Sequence, residues 1–197
     1  MSSESIEINT EFLAAVDEIA NLPPPTAFRL IEKLESSKAP SETRKKTCKA
    51  LLEHTEKPVL MRIASSSIIE EFDSIQSWLA SAQDTEQLTA FAGNTACTSG
   101  DAQQHILNKG VKKATEALAG NTSCKNETIQ LTIACNSHHK AKLALAGNTS
   151  IASKGVEEAL LSNCSQKHQK EIEQALYDNT SSALNQTMSI LLDALET

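Results

Sequence analysis

Leu118-Ala119-Gly120-Asn121-Thr122-Ser123 is the stretch that decides how this chain folds. Phe91-Ala92-Gly93-Asn94-Thr95 precedes it and Leu145-Ala146-Gly147-Asn148-Thr149-Ser150 follows it. Leu176-Tyr177-Asp178-Asn179-Thr180-Ser181 is a degenerate fourth copy. The four asparagines stand 27, 27 and 31 residues apart. Recurrence at such a period marks stacked supersecondary units that cannot bury their apolar faces alone. Weaker boundaries of the same kind, Leu107-Asn108, Ala134-Cys135-Asn136 and Leu161-Ser162-Asn163, split each repeat in two. Each half has room for one helix of two to three turns, roughly 15 Å long.

The boundary has a physical reading. Leu and Ala carry a helix to its end with good propensity. Gly93, Gly120 and Gly147 are expected just past that end, in the left-handed conformation. Asn94, Asn121, Asn148 and Asn179 then supply side-chain oxygens to cap the next helix and to bond neighbouring repeats. A structural role is therefore expected for all seven residues.

Fainter copies extend upstream, with offsets of 28 from His54 to Ala82 and from Ser66 to Asn94. The spacing predicts helices over 10–20, 26–35, 41–53, 57–65, 68–80, 84–92, 98–107, 110–119, 124–135, 138–146, 151–161, 166–177 and 182–195. The expected fold class is all-α: a right-handed α-solenoid of short helix pairs with a period of about 27 residues. Residues 40–197 form the array. Residues 1–39, with the break Leu22-Pro23-Pro24-Pro25, form a cap or arm.

Composition fits this reading. Of 197 residues only 3% are aromatic, so Leu, Ile and Ala must build the core, which suits close-packed short helices better than a β-sandwich. The net charge of -7 disfavours nucleic acid as a partner. No apolar run reaches the roughly 20 residues that span a bilayer. Met1-Ser2-Ser3-Glu4-Ser5 lacks the pattern of a signal peptide, and a cytoplasmic protein without membrane contact is expected. The five cysteines have no paired spacing. Cys97 and Cys124 each lie three residues after their boundary Asn, where the next repeat has Ile151. A slot that accepts either Cys or Ile is an apolar packing position, so core thiols are expected there rather than metal ligands.

The Leu-Ala-Gly-Asn-Thr boundaries resemble those of bacterial leucine-rich-repeat-variant proteins and, more loosely, HEAT-like helical repeats, over roughly residues 50–180. In the variant family a proline often follows the boundary Asn, where most copies here have Thr, and some members carry a compact iron–sulfur cysteine cluster that this sequence lacks. The resemblance implies a fold and a binding role, with no catalytic residue.

Charge supplies the candidate site. Lys112, His139 and Lys170 each lie nine residues before a boundary Asn, and Lys113 and Lys140 lie eight before. Equivalent positions stack in a repeat array, so these five residues are expected to form a basic ridge. Asp101, Glu127, Glu157 and Glu158 fall on the other helices and would gather elsewhere. Upstream the alignment meets Pro58 and Glu86, which confines the ridge to the C-terminal half. The competing account is ordinary solvated faces of amphipathic helices. His138 and His139 are adjacent, so on a helix they diverge by about 100°, and no third ligand stands near; no metal and no cofactor are expected. The sequence has no phosphate loop, nucleophile motif or paired acid and base.

The expected function is a non-catalytic binding module or scaffold. It would dock a protein partner with an acidic surface, or an acidic peptide, on the ridge. A nucleic-acid-binding HEAT-like protein is the first alternative. An enzyme or regulatory subunit with a site assembled across helices is the second. The sequence does not fix the oligomeric state.

Overall fold

The computed structural model describes residues 18–195. These form twelve α-helices and one 3-10 segment, with no strand among the described residues. The helices are α1 (Pro24–Ser36), α2 (Ser41–Leu52), α3 (Lys57–Ala64), α4 (Asp73–Ser81), α5 (Thr85–Gly93) and α6 (Gly100–Asn108). They continue as α7 (Lys112–Gly120), α8 (Glu127–Asn136), α9 (His139–Ala146), α10 (Lys154–Ser162), α11 (Gln166–Asp178) and α12 (Ala183–Leu195). The helix expected over 10–20 lies, apart from residues 18–20, outside the described residues.

One expected helix is divided. Residues 68–80 form a 3-10 segment, Ser67–Glu71, and then α4, separated by an extended Phe72 at φ -133, ψ 92. Ser66 caps the 3-10 segment by accepting from the Ile68 N–H. Ile68, Ile69 and Phe72 are all buried, so apolar burial holds the break open where no Gly or Pro signals it.

The helices pack in two rows. In one, α1, α3, α5, α7, α9 and α11 each touch the next. In the other, α4, α6, α8 and α10 do the same. The core runs between the rows and repeats its side chains: Phe91-Ala92, Leu118-Ala119 and Leu145-Ala146 are fully buried, as are Ile106, Ile133 and Leu160 opposite them. Each large side chain withdrawn from water stabilises by about 1.5–3 kcal/mol. That burial holds helices of eight to ten residues, too short to persist alone. At the N-terminal end, His54 accepts from the Glu56 N–H through Nδ1 and faces the Leu22 carbonyl through Nε2 at 2.8 Å. The residue just before the three prolines is thus tied to the turn that leads into α3.

Two ladders of buried amides set the spacing of the rows. The Asn94 Nδ2 donates to the Ala64 and Ser66 carbonyls, at 2.9 and 2.8 Å. Asn121 donates to Ala92 and Asn94, Asn148 to Ala119 and Asn121, and Asn179 to Ala146 and Asn148, all within 2.8–2.9 Å. In each case Oδ1 accepts the N–H two residues on, from Ala96, Ser123, Ser150 or Ser181. Each rung joins two successive boundaries and supplies donors to carbonyls near a helix end, among them those of Ala92, Ala119 and Ala146, which the helix itself leaves without partners.

The second ladder lies in the other row, at Gln76, Gln103, Gln130 and Glu157, spaced by 27 throughout. Gln76 Oε1 accepts from Thr98 N and Ser99 N. Gln103 Nε2 donates to the Cys97 and Ser123 carbonyls, and Gln130 Nε2 to those of Cys124 and Ser150. Glu157 ends the series. Its carboxylate accepts from Ala183 N and Leu184 N, capping the first turn of α12 from a neighbouring helix.

The boundary differs from expectation in its detail. Gly93 and Gly120 are the last helical residues and Gly147 has ordinary right-handed angles, so none is left-handed. The Asn side chain closes the helix end, which removes the need for a left-handed turn. Gly110 is the only described residue with positive φ, at 66°, and it ends α6 where the sequence placed the start of the next helix. Nor do the boundary asparagines cap the next helix, which starts about six residues later. Asn126 and Ser153 cap α8 and α10.

Candidate functional site

The expected ridge residues lie at the amino-terminal edge of α7, α9 and α11. Lys112 and Lys113 are the first two residues of α7, and His139 and Lys140 the first two of α9. Lys167 and His168 open α11. None of these three helices has an acidic residue in its first turn or a side-chain cap. Cations at a helix N-terminus face the positive end of the macrodipole, which costs about 0.3–1 kcal/mol each. Lys112, Lys113, Lys140, Lys167 and Lys170 are exposed and join no ion pair among the described residues.

The edge is neutralised one repeat upstream. Lys57 at the start of α3 pairs with Asp84 at 3.0 Å and Glu86 at 2.6 Å, around the start of α5. The Glu86 and Asp84 hydrogen bonds raise the Lys57 pKa, and the Gln87 N–H and Lys57 lower that of Asp84. The sequence alignment loses the ridge at this same place.

Two lysines near the ridge in sequence turn away from it. Lys109 Nζ donates to the Ser81 and Ala82 carbonyls at 2.7 Å, at the C-terminal end of α4. Lys142 is buried and donates to the Asn163 carbonyl at 2.6 Å, beyond the end of α10. Both place a cation where the helix dipole favours one. On the other row, Glu157 is buried in the glutamine ladder and does not join an acidic ridge.

Lys170 does not stack over His139. α11 is five residues longer than α9, and the last asparagine spacing is 31 instead of 27, so counting back from Asn179 brings the wrong residue into line. His168 and Glu171, one turn apart, face His139 instead. The His139 and His168 rings stack with centroids 3.7 Å apart and planes at 16°. His139 Nε2 lies 2.6 Å from Glu171 Oε2, and His168 Nδ1 lies 3.8 Å from the same oxygen. His138 turns the other way, 3.9 Å from Glu116. Sequence reasoning missed this cluster because it sought ligands within one helix. The spacing of 29 between His139 and His168, about one repeat, was the available signal.

Two clefts flank the edge. One of about 450 Å³ lies between the α6–α7 and α8–α9 turns, lined by Gly110, Lys112, Thr115, Thr132, Asn136 and His138. The other, of about 540 Å³, brings Lys170 beside Leu161, Tyr177, Leu184 and Met188. Cys48, Cys97 and Cys124 are buried, and burial pushes their thiols up to about 12, which removes them as nucleophiles near neutral pH. No described helix is long and apolar enough to cross a membrane.

Compared with protein-family models, curated proteins and solved structures, the chain has no match.

Proposed function

We propose that this chain is a non-catalytic docking module that binds an acidic protein segment along the amino-terminal edge of α7, α9 and α11. The two helix rows and the amide ladders support reading it as a right-handed α-solenoid with a period near 27 residues. Lys112, Lys113, His139, Lys140 and Lys170 are the proposed binding residues. Glu171 already engages His139, so the lysines carry most of the free charge.

The observation that carries the proposal is the run of three helix starts bearing cations without a cap or an acid. A carboxylate-rich partner would meet lysine ammonium groups and free helix N–H groups together, and the local repulsion would become attraction. The net charge of -7 favours a short acidic segment over a nucleic acid, whose long polyanion would also meet the acidic remainder of the surface. Buried free thiols support a reducing, cytoplasmic setting.

The test is affinity purification from the native cell with wild type and with Lys113→Glu/Lys140→Glu, followed by titration of the co-eluting partner at two salt concentrations. The expected result is about tenfold or greater loss of affinity in the variant and a flatter salt dependence. A partner held equally well by both proteins would remove the edge from consideration. Nucleic acid retarded at low salt by wild type but not by the variant would replace the proposal with the nucleic-acid reading.

A further inference from the structure

We infer that His139, His168 and Glu171 form a binding site for one divalent transition-metal ion of the zinc class, bridging α9 and α11. The three side chains each present a ligand atom within 4.8 Å of the others. Two imidazoles and a carboxylate form a common protein ligand set for zinc, leaving a fourth position to water. Here that position faces outward, since Glu171 is exposed.

The cluster is unfinished as a purely organic arrangement. His139 Nδ1 and His168 Nδ1 are both shut off from solvent and have no hydrogen-bond partner. The 3.8 Å from His168 Nδ1 to Glu171 Oε2 is too long for a hydrogen bond. The 2.6 Å contact of His139 Nε2 with the same oxygen is shorter than the spacing of two ligands on one metal. Tetrahedral ligands bound at about 2.0–2.1 Å stand roughly 3.3 Å apart. One contact must open and the other close, each by about half an ångström or slightly more. The metal would take His139 through Nε2, His168 through Nδ1 and Glu171 through its carboxylate.

The stack sets one condition. Imidazole lone pairs lie in the ring planes, and two near-parallel rings stacked with centroids 3.7 Å apart cannot share one ion. Binding therefore turns one ring out of the stack, which gives the site a signature separate from simple uptake. An ion held here would fix α9 to α11 at the repeat whose spacing is four residues longer than the others.

The test is zinc titration of the full chain by calorimetry and by metal analysis after dialysis. Cys135 and Cys164 are first replaced by Ser in every protein, because these two thiols are not fully buried and also bind zinc. The expected stoichiometry is one ion per chain. His168→Ala, His139→Ala and Glu171→Gln should each weaken binding at least tenfold. His138→Ala, on the opposite side, should leave it unchanged. In proton NMR the His139 and His168 ring signals should move together on zinc addition, reporting loss of the stack. Circular dichroism confirms that each variant is folded, and Glu171→Gln, at an exposed position, covers the case in which a His variant is not. The inference is overturned if the cysteine-free-surface protein takes up no zinc, or if uptake survives both His168→Ala and Glu171→Gln. Because His168→Ala and Glu171→Gln leave all five proposed docking residues untouched, partner docking and metal binding fail or succeed independently in those two variants.

Discussion

Replacing Asn148 by Ala tests whether the asparagine ladder carries stability or merely accompanies it. Asn148 is 2% exposed, and its Nδ2 donates to the Ala119 and Asn121 carbonyls at 2.8 and 2.9 Å. Its Oδ1 accepts from Ser150 N at 2.8 Å. Ser150 borders solvent, so water can replace that bond. The Ala119 carbonyl is left buried without a donor, which costs about 1–3 kcal/mol, while the Asn121 carbonyl keeps the Cys124 N–H at 2.9 Å and loses one bond of about 1 kcal/mol. The expected loss is therefore about 3 kcal/mol, or roughly 6–12 °C in Tm for a chain of this size. Asn148→Asp sharpens the test. It keeps the volume and the Ser150 contact but sets carboxylate oxygens against two carbonyl oxygens. Its penalty at neutral pH should equal or exceed that of Ala. Its folded-state pKa is raised, so stability should return as pH falls through that value. Thr149→Ala, at the neighbouring exposed position, is the control and should stay within about 0.5 kcal/mol. The assay is urea unfolding followed by circular dichroism, with amide exchange reporting whether α7 and α9 loosen together. If both Asn148 variants lie within about 1 kcal/mol of Thr149→Ala, the ladder contributes no more than surface polarity does, and the reasoning fails.

Other predictions follow from features of the same fold. Glu157→Gln keeps an acceptor for only one of the Ala183 and Leu184 N–H groups and loses the charge at the start of α12, so at least about 1 kcal/mol should be lost and amide exchange should quicken in that helix first. Unchanged exchange there would refute the capping role. A thiol reagent at mildly alkaline pH should label Cys135 and Cys164 quickly and spare Cys48, Cys97 and Cys124, whose pKa stands near 12. Rapid labelling of more than two thiols in the native protein would contradict that burial. For Glu35, burial pushes the carboxyl up, but hydrogen bonds from Arg62 and Ser66, the Arg62 charge and the Ser67 N–H outweigh it and hold the pKa below 4.5. A depressed carboxylate stabilises above its unfolded pKa and loses that contribution as pH falls through the folded value. Arg62→Ala should therefore destabilise at neutral pH and flatten the acid limb of the stability profile, which thermal melts across that range would measure.

The helices were legible because their ends carry chemistry. Leu-Ala before Asn and a 27-residue recurrence place α5 to α11 within three residues of their observed limits. What the reading lacked was the direction in which side chains reach. Asn94 and its counterparts look forward along the sequence as caps, yet their amides point back to carbonyls one repeat earlier. The glycines beside them then have no left-handed turn to make. The glutamine ladder repeats as strictly as the asparagine one, but a single polar residue in an apolar helix reads as noise until the neighbouring row is in place. At the candidate edge, Lys112 and Lys113 open α7 and Lys140 is the second residue of α9. Lys170 is the fifth residue of α11, and the extra residues in that helix bring His168 and Glu171 to His139 in its place. The metal-type cluster depends on two helices from different repeats, and contacts of that kind were searched for only within one helix.

Each asparagine rung draws both its acceptors from the boundary before it and leaves its own carbonyl for the boundary after it. Such a junction has a tail and a socket on every copy. A tandem duplication of residues 121–147 would arrive with both halves already matched to its flanks. Such a copy would need no new interface, and the intact Asn179 rung shows that a boundary also forms across a unit four residues longer. Asn185 donates to the Tyr177 carbonyl, the counterpart of the Ala92, Ala119 and Ala146 acceptors.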